Sequence, residues 1–319
     1  MRVRHAAMFA AAILTCRADV ISDTLNALNS GDFARAESVV RADQMARGVT
    51  PETLEAESWI ARANQMTKRD QAAETEAKNV LAQYDREFAR RGVDSDPHLA
   101  TALGAAIEVH AQALAAQGQR AAALAFLRTE FTRFATTSIA ARIRKNINML
   151  ALVGHTAPAI EASQWIGARP PSLAQLRGRP VLLFFWAHWC GDCKGDEPLI
   201  AQIARDYASK GLAVIGPTQL YGYTPQNESA PATEELAWTE RVFNRFYADI
   251  PGISVPVSPA AFRAYGASTT PTIVLIDRRG IVRLYHPGAM TAAELKPEVD
   301  RVVSESGREH AAHASAGGQ

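Results

Sequence analysis

Cys190 and Cys193 are the side chains of this 319-residue chain best suited to chemistry. They follow an apolar run, residues 181–186, with the length and composition of a buried strand, and they precede a predicted helix over 194–209. The first sulfur would then lie at a helix N-terminus, where the helix dipole and free N–H groups favour a thiolate. A thiolate there can attack a disulfide, and a second thiol three residues on can resolve the product. The pattern predicts a redox site.

A zinc half-site is the alternative for two cysteines at this spacing. Completing it would require a second such pair or paired histidines, which the sequence lacks. We therefore expect no metal, and no cofactor.

The first 18 residues indicate export. A basic start, Met1–His5, precedes ten apolar residues, Ala6–Thr15, which are too few to span a bilayer but suit a signal peptide cleaved after Ala18. Lipoprotein processing at Cys16 ranks lower, because Thr15 is a poor residue before a modified cysteine; only then would the chain be anchored to a membrane. Cleavage after Ala18 leaves Cys190 and Cys193 as the mature chain's only thiols, in the periplasm or cell envelope.

Composition gives no electrostatic support for nucleic acid as a partner, and we expect none. The formal net charge is +1, from 34 basic and 33 acidic residues, and no basic stripe stands out. The length suggests two domains.

Residues 19–150 predict an all-α domain, since apolar residues recur at helical spacing. Three similar stretches, 31–36, 68–73 and 118–123, each end one helix and open another, with a small residue five positions on. They resemble the inter-helix turn of tetratricopeptide-type repeats, but their spacings of 37 and 50 residues depart from that period. An irregular bundle is about equally compatible, and either would supply a surface for a protein partner.

Residues 154–304 alternate between strands and helices, which predicts an α/β domain with a mixed central sheet flanked by helices. The predicted strands are 181–186, 212–215, 272–276 and 281–285, and the predicted helices are 194–209, 232–248, 259–265 and 291–303. Residues 305–319 are predicted to be a disordered tail.

This second half resembles the thioredoxin fold and, within it, the TlpA/ResA-like family of exported thiol–disulfide oxidoreductases. The matching segments are 173–181, 181–193 with Pro198 five residues further on, and 265–277. The resemblance covers none of the N-terminal half.

The resemblance implies a role for each site residue. Cys190 would be the exposed nucleophile and Cys193 the buried resolving thiol, with a disulfide as the oxidised form. Pro271 matches the family's cis-proline. Thr270, the residue before it, occupies the position at which thioredoxin-fold proteins vary their redox behaviour. Asp196 aligns with a glutamate near the cysteines that could transfer a proton; Glu197 is the neighbouring candidate, and both could simply stabilise the helix start.

Other residues near the cysteines modify this picture. Asp192 replaces the family's usual proline, and its negative charge should raise the pKa of Cys190. Trp189 is predicted to pack at the rim of the site. His188 could stabilise a thiolate, although such a position is more often exposed to solvent. The segment Tyr221–Pro231 could form part of the substrate rim or have no role.

Two functions remain in view. The first is an exported thiol–disulfide oxidoreductase that reduces protein disulfides and receives electrons from an upstream thiol donor. The second is a helical-repeat interaction protein whose thioredoxin-like domain has incidental redox activity.

Overall fold

The computed structural model describes residues 19–316, with side chains as far as Ser304. The predicted signal peptide, including Cys16, lies outside these residues. The chain divides into two units, residues 1–106 and 107–319.

The described residues of the first unit form helices and the turns between them. Its helices are α1 (Val20–Asn29), α2 (Phe33–Arg47), α3 (Pro51–Met66), α4 (Asp70–Glu87) and the first half of α5 (Pro97–Ala116). Asp19 and Asp32 cap the starts of α1 and α2, and Thr50 forms a capping box with Thr53 at the start of α3.

The three similar stretches noted in the sequence are tight turns between helices. Gly31, Lys68 and Gly118 each adopt a positive φ, of 77°, 61° and 81°. The next N–H in each case reaches back five residues to a helix carbonyl, which is the Schellman arrangement. The small residues that follow are Ala36, Ala73 and Ala123, and all three are fully buried. Recurring turns with a buried alanine support helix–turn–helix units, while the tetratricopeptide assignment itself stays a prediction.

Helix α5 is long and apolar enough, by length and composition alone, to cross a membrane. However, 61% of its apolar window is buried inside the protein. That burial is typical of a core helix.

The second unit adds an α/β fold to the rest of α5. Its helices are α6 (Arg120–Arg133), α7 (Ala140–Ala151), α8 (Gly191–Asp206), α9 (Ala232–Phe246), α10 (Pro259–Tyr265) and α11 (Ala292–Ala316). Its strands are β1 (Gln164–Ile166), β2 (Val181–Phe185), β3 (Ala213–Ile215), β4 (Val255–Val257), β5 (Thr272–Ile276) and β6 (Val282–Pro287).

The main sheet has the order β3-β2-β5-β6. Strand β2 pairs parallel with β3 and antiparallel with β5, and β5 pairs antiparallel with β6. The sheet is therefore mixed, which confirms the predicted architecture. Strands β1 and β4 form a separate antiparallel pair that the sequence did not predict, because each has three residues and Pro256 interrupts the second.

All five residues of β2 are buried, and they serve two cores. Leu182 and Phe184 join the apolar cluster that includes residues of α8 and α11, whereas Leu183 and Phe185 join the cluster of α10. Because side chains alternate along a strand, helices must cover both faces of the sheet. The C-terminal end of β2 is thereby fixed in place, and the chain leaves it towards the cysteines.

Several predicted helix bounds differ from those in the structure. Helix α8 begins at Gly191 rather than 194, since Cys190 caps it, and it ends at Asp206. Helix α11 continues to Ala316, into the predicted disordered tail, because the alanine-rich residues 311–316 favour a helix.

Helix α7 packs closely against the end of α10. Asn148 Nδ2 donates to the carbonyl of Tyr265 at 2.6 Å. A Cβ atom on Gly266, whose φ is +61°, would lie 2.4 Å from the backbone nitrogen of Lys145. The sequence places the domain boundary between 150 and 154, after α7, and that boundary stays a prediction.

Candidate redox site

The two cysteines form a disulfide at the start of α8. Cys190 and Cys193 are joined with Sγ–Sγ 2.10 Å and Cα–Cα 5.3 Å. Cys190 is the N-cap residue, and its Sγ accepts a hydrogen bond from the N–H of Cys193 at 3.0 Å. The prediction of an exposed Cys190 needs correction: it is 3% exposed and Cys193 is 0% exposed. Approach to the pair is therefore possible only at Cys190.

Trp186, four residues before Cys190, anchors the chain that leads into the disulfide through two hydrogen bonds. Its indole N–H donates to the carbonyl of Gly216 at 3.0 Å, and its carbonyl accepts from the Thr218 hydroxyl at 3.0 Å. Trp186 is fully buried beside Tyr247, with ring centroids 4.5 Å apart. These bonds fix the exit of β2 before the cysteines.

Pro271 lies at the same end of the sheet. The Thr270–Pro271 peptide bond is cis. Thr272, the next residue, pairs with Phe185 at the end of β2, so both segments meet where the chain turns towards Cys190. The Thr270 hydroxyl is buried without a hydrogen-bond partner among the described residues.

Asp196 lies one turn after Cys193 in α8 and is partly buried. Burial, together with the charge of Asp192, raises the pKa of its carboxyl to about 6, although the backbone N–H of Met290 and the nearby His286 act in the opposite direction. One of its oxygens, Oδ2, has no hydrogen-bond partner among the described residues. A carboxyl with this pKa can exchange a proton near neutral pH.

Asp192 and Glu197 complete the acidic start of α8. Asp192 is exposed in the first turn, between the two cysteines. Burial raises the pKa of Glu197, with a further contribution from Asp249. Glu197 is thus a second carboxyl with an altered pKa on this helix.

His188 is not exposed, contrary to the sequence expectation. It is 1% exposed, and its Nε2 lies 3.0 Å from Oε1 of Glu235 in α9. Burial lowers the pKa of His188, while the hydrogen bond to Glu235 opposes that shift. We assign the Nε2 proton to the bond with Glu235, so that Nδ1 is unprotonated; it has no partner among the described residues.

Glu235 is the residue of this region that sequence reasoning missed. It is separated from His188 by 47 positions. One signal was available, since Glu235 shares its helix face with the buried Thr239 and Val242 at helical spacing. A glutamate at such a position is expected to have a buried partner.

Aromatic rings of the segment Tyr221–Pro231 contact His188 and Trp189, the two residues before Cys190. Trp189 contacts Tyr221 edge-on with centroids 5.5 Å apart, and His188 contacts both Tyr221 and Tyr223. Trp189 is 48% exposed, in keeping with the rim position predicted for it. No group of three or more metal-ligating side chains occurs among residues 19–304.

A mixed sheet with helices on both faces, a Cys-x-x-Cys disulfide at a helix N-terminus and a proline before the antiparallel strand together define a thioredoxin-like domain. Residues 171–302 match the family model described as the thioredoxin-like domain. This match confirms the thioredoxin-like fold that the sequence resemblance implied for the second half of the chain.

Similar proteins bear redox names. The thioredoxin-like protein YneN of Bacillus subtilis (strain 168) is 28% identical over 46% of this chain and 78% of its own length. The thiol:disulfide interchange protein DsbE of Xylella fastidiosa (strain Temecula1 / ATCC 700964) is 34% identical over 44% of this chain and 64% of its own. The thiol-disulfide oxidoreductase ResA of Geobacillus thermodenitrificans (strain NG80-2) is 28% identical over 47% and 78%. The chain thus spans slightly less than two thirds of DsbE.

Proposed function

We propose that the protein is an exported thiol–disulfide oxidoreductase that reduces disulfides in other proteins. The Cys190–Cys193 disulfide, capping α8 within a thioredoxin-like domain, is the observation that carries this proposal. Homologues named as thiol-disulfide oxidoreductases and interchange proteins support it.

The reaction begins from the reduced dithiol. The Cys190 thiolate attacks one sulfur of a substrate disulfide, forming a mixed disulfide while the other substrate sulfur leaves as a thiolate and takes up a proton. Cys193 loses its proton and attacks Sγ of Cys190, which breaks the mixed disulfide and releases the second substrate thiol. Two electrons pass from the protein to the substrate, and the Cys190–Cys193 disulfide remains until an upstream thiol donor reduces it.

The assignment of the two roles follows from position. Cys190 is at the helix N-terminus, where a thiolate is stabilised, and it is the cysteine with some exposure. Cys193 is fully buried and can reach only its neighbour. Asp196, one turn further, is the carboxyl that we assign to proton transfer during resolution.

Single-turnover reduction of insulin by the pre-reduced protein tests the proposal. We expect wild type to release insulin thiols in proportion to dithiol consumed, Cys190→Ser to be inert, and Cys193→Ser to retain insulin as a mixed disulfide. The two serine variants are matched controls for each other. No reduction by wild type and no trapped adduct would instead favour the interaction-protein alternative.

Export is proposed from the first 18 residues, which lie outside the described part of the chain. The structure is compatible with cleavage after Ala18, because Asp19, the new first residue, accepts a hydrogen bond from the N–H of Ile21 and caps α1. N-terminal sequencing of protein recovered from the cell envelope should begin at Asp19. Membrane association that Cys16→Ser abolishes would establish lipidation in its place.

A further inference from the structure

Glu235 and the segment Tyr221–Pro231 contact the two residues before Cys190, His188 and Trp189, and have no part in the reaction above. Glu235 is 0% exposed. Its Oε1 accepts from the N–H of Tyr221 at 2.5 Å and pairs with His188, and its Oε2 accepts from the N–H of Gly222 at 2.7 Å. Burying a carboxylate is costly unless its oxygens are hydrogen-bonded. Here the donors come from the segment and from the turn before Cys190, so the carboxylate joins the two.

The segment is also ordered within itself. Thr224 and Asn227 exchange backbone hydrogen bonds of 2.8 and 3.2 Å, and the N–H of Ala230 donates to the carbonyl of Gly222 at 2.9 Å. Gly222 has a φ of +84°, a conformation that side-chain-bearing residues rarely adopt. The segment therefore presents its side chains in a fixed arrangement and pays little ordering cost on binding.

This arrangement creates an aromatic rim, defined as Trp189, Tyr221 and Tyr223. The ring of His188 lies 5.8 Å from Tyr221 and 5.4 Å from Tyr223, between centroids, and holds both in place. Tyr223 is 36% exposed, and Trp189, directly before Cys190 in the chain, is more exposed still.

Resting on the proposed function, we propose that the aromatic rim is a substrate-recognition surface, selective for polypeptides that carry an aromatic or large aliphatic side chain beside their reactive disulfide. Glu235 is the positioning residue that holds it. The ligand of this surface is a polypeptide substrate, because the aromatic rim adjoins Cys190 in the chain. When a substrate disulfide reaches Cys190, the residues that flank that disulfide must lie across Trp189 and its neighbours. Tyrosine and tryptophan offer broad apolar faces together with a hydrogen-bonding group, which suits contact with a peptide.

The test uses two cyclic disulfide peptides that differ only in a Phe or an Ala next to one cysteine. The pre-reduced full chain reduces each, and 2-hydroxyethyl disulfide is the small reference substrate. We expect wild type to prefer the Phe peptide by about three- to tenfold in rate, the range of one aromatic contact. Tyr223→Ala should remove most of that preference and leave reduction of the small disulfide unchanged.

Glu235→Gln tests the positioning role. Glutamine offers one acceptor oxygen where three donors converge, so the segment should loosen and the Phe preference should fall, again with the small disulfide unaffected. Trp165→Ala is the matched control. Trp165 is also 36% exposed, but it lies on β1 with its ring beside Arg169. This variant should prefer the Phe peptide as strongly as wild type does.

An undiminished Phe preference in Tyr223→Ala, with the small disulfide reduced normally, would overturn the inference while the proposed function stands. Failure of wild type to reduce the small disulfide would instead refute the proposed function and the inference with it.

Discussion

Two aspartates on α8 control the charge around the disulfide in different ways. Asp192 is exposed between the cysteines, while Asp196 is partly buried behind them with one oxygen unpartnered among the described residues. Because both are negative when ionised, the charge of Asp192 makes Asp196 easier to protonate. A change at either residue should therefore be felt at the sulfurs through electrostatics.

Asp192→Asn should lower the pKa of the Cys190 thiol in the reduced protein. Removing a negative charge favours the thiolate, and because Asp192 is exposed the decrease in the pKa should be largest at low ionic strength and should shrink in salt. The rate of alkylation by iodoacetamide against pH measures it. Glu234→Gln, in the first turn of α9, is the control. An equal or higher pKa in the variant would contradict the prediction.

Asp196→Asn should stabilise the oxidised protein at pH 8 but not at pH 4. The folded-state pKa of about 6 lies above the usual value of 3.8, so the carboxyl contributes stability when protonated and loses that contribution as the pH rises through 6. After a discount for partial solvent screening, we expect a gain of about 1–2 kcal/mol at pH 8. Urea unfolding at both pH values measures it.

Asp206→Asn provides the comparison for this pH effect, as it removes an exposed carboxylate at the far end of the same helix. It should show no such pH dependence. A gain for Asp196→Asn that is equal at both pH values would contradict the assignment of the raised pKa.

At the scale of elements, the helical region uses the same type of turn three times, and in one of the three the residue with positive φ is not glycine. Gly31 and Gly118 supply the positive φ that ends α1 and α5, whereas Lys68 adopts the same conformation with a side chain at the end of α3. A left-handed conformation costs a residue with a Cβ atom about 1 kcal/mol or more relative to glycine. The turn after α3 therefore has a less favourable backbone free energy than the turns at Gly31 and Gly118.

Lys68→Gly should stabilise the protein by about 0.5–1 kcal/mol, since relief of the backbone conformation exceeds the extra freedom that glycine has when unfolded. Chemical denaturation followed by helical circular dichroism measures it. The reciprocal variant Gly31→Lys should destabilise by a similar amount. A loss of stability in Lys68→Gly would show that the lysine side chain contributes more than its backbone costs.

Sequence patterns predicted the elements whose signals are local. The apolar run of β2, the cysteines after it and the two later strands, 272–276 and 281–285, are each contiguous in sequence, and the mixed sheet followed from them. The His188–Glu235 pair could not be predicted in the same way, because it depends on where α9 packs relative to β2. The burial of Cys190 was missed for the same reason, because it depends on the packing of the apolar cluster to which Cys190 belongs together with residues of α8 and α11.

At the scale of the whole molecule, α5 and α7 take part in the second unit through a buried charge network. Burial alone would raise the pKa of Glu108, but Lys145 and Arg142 lower it to about 2. The carboxylate lies 3.0 Å from Lys145 Nζ and 2.8 Å from Arg142 Nε. Helix α7 in turn donates from Asn148 to the end of α10.

A fragment of residues 107–319 should therefore be more stable than one of residues 154–319. The shorter fragment loses the Asn148 hydrogen bond and the buried Leu152, together worth about 2–4 kcal/mol. Thermal unfolding of the two, beside the chain from residue 19, measures the difference. Equal unfolding temperatures would support the domain boundary between 150 and 154.

The close approach of Gly266 to α7 restricts which residues can evolve at position 266. Any side chain at position 266 would collide with the backbone of Lys145, so drift there is forbidden while α7 keeps its course. Homologous sequences that retain a helix in the place of α7 should keep glycine at this position, and lineages that lost the helix should show ordinary substitution there. The presence of glycine at this position in a homologous sequence thus indicates that its thioredoxin-like domain evolved together with a helix equivalent to α7.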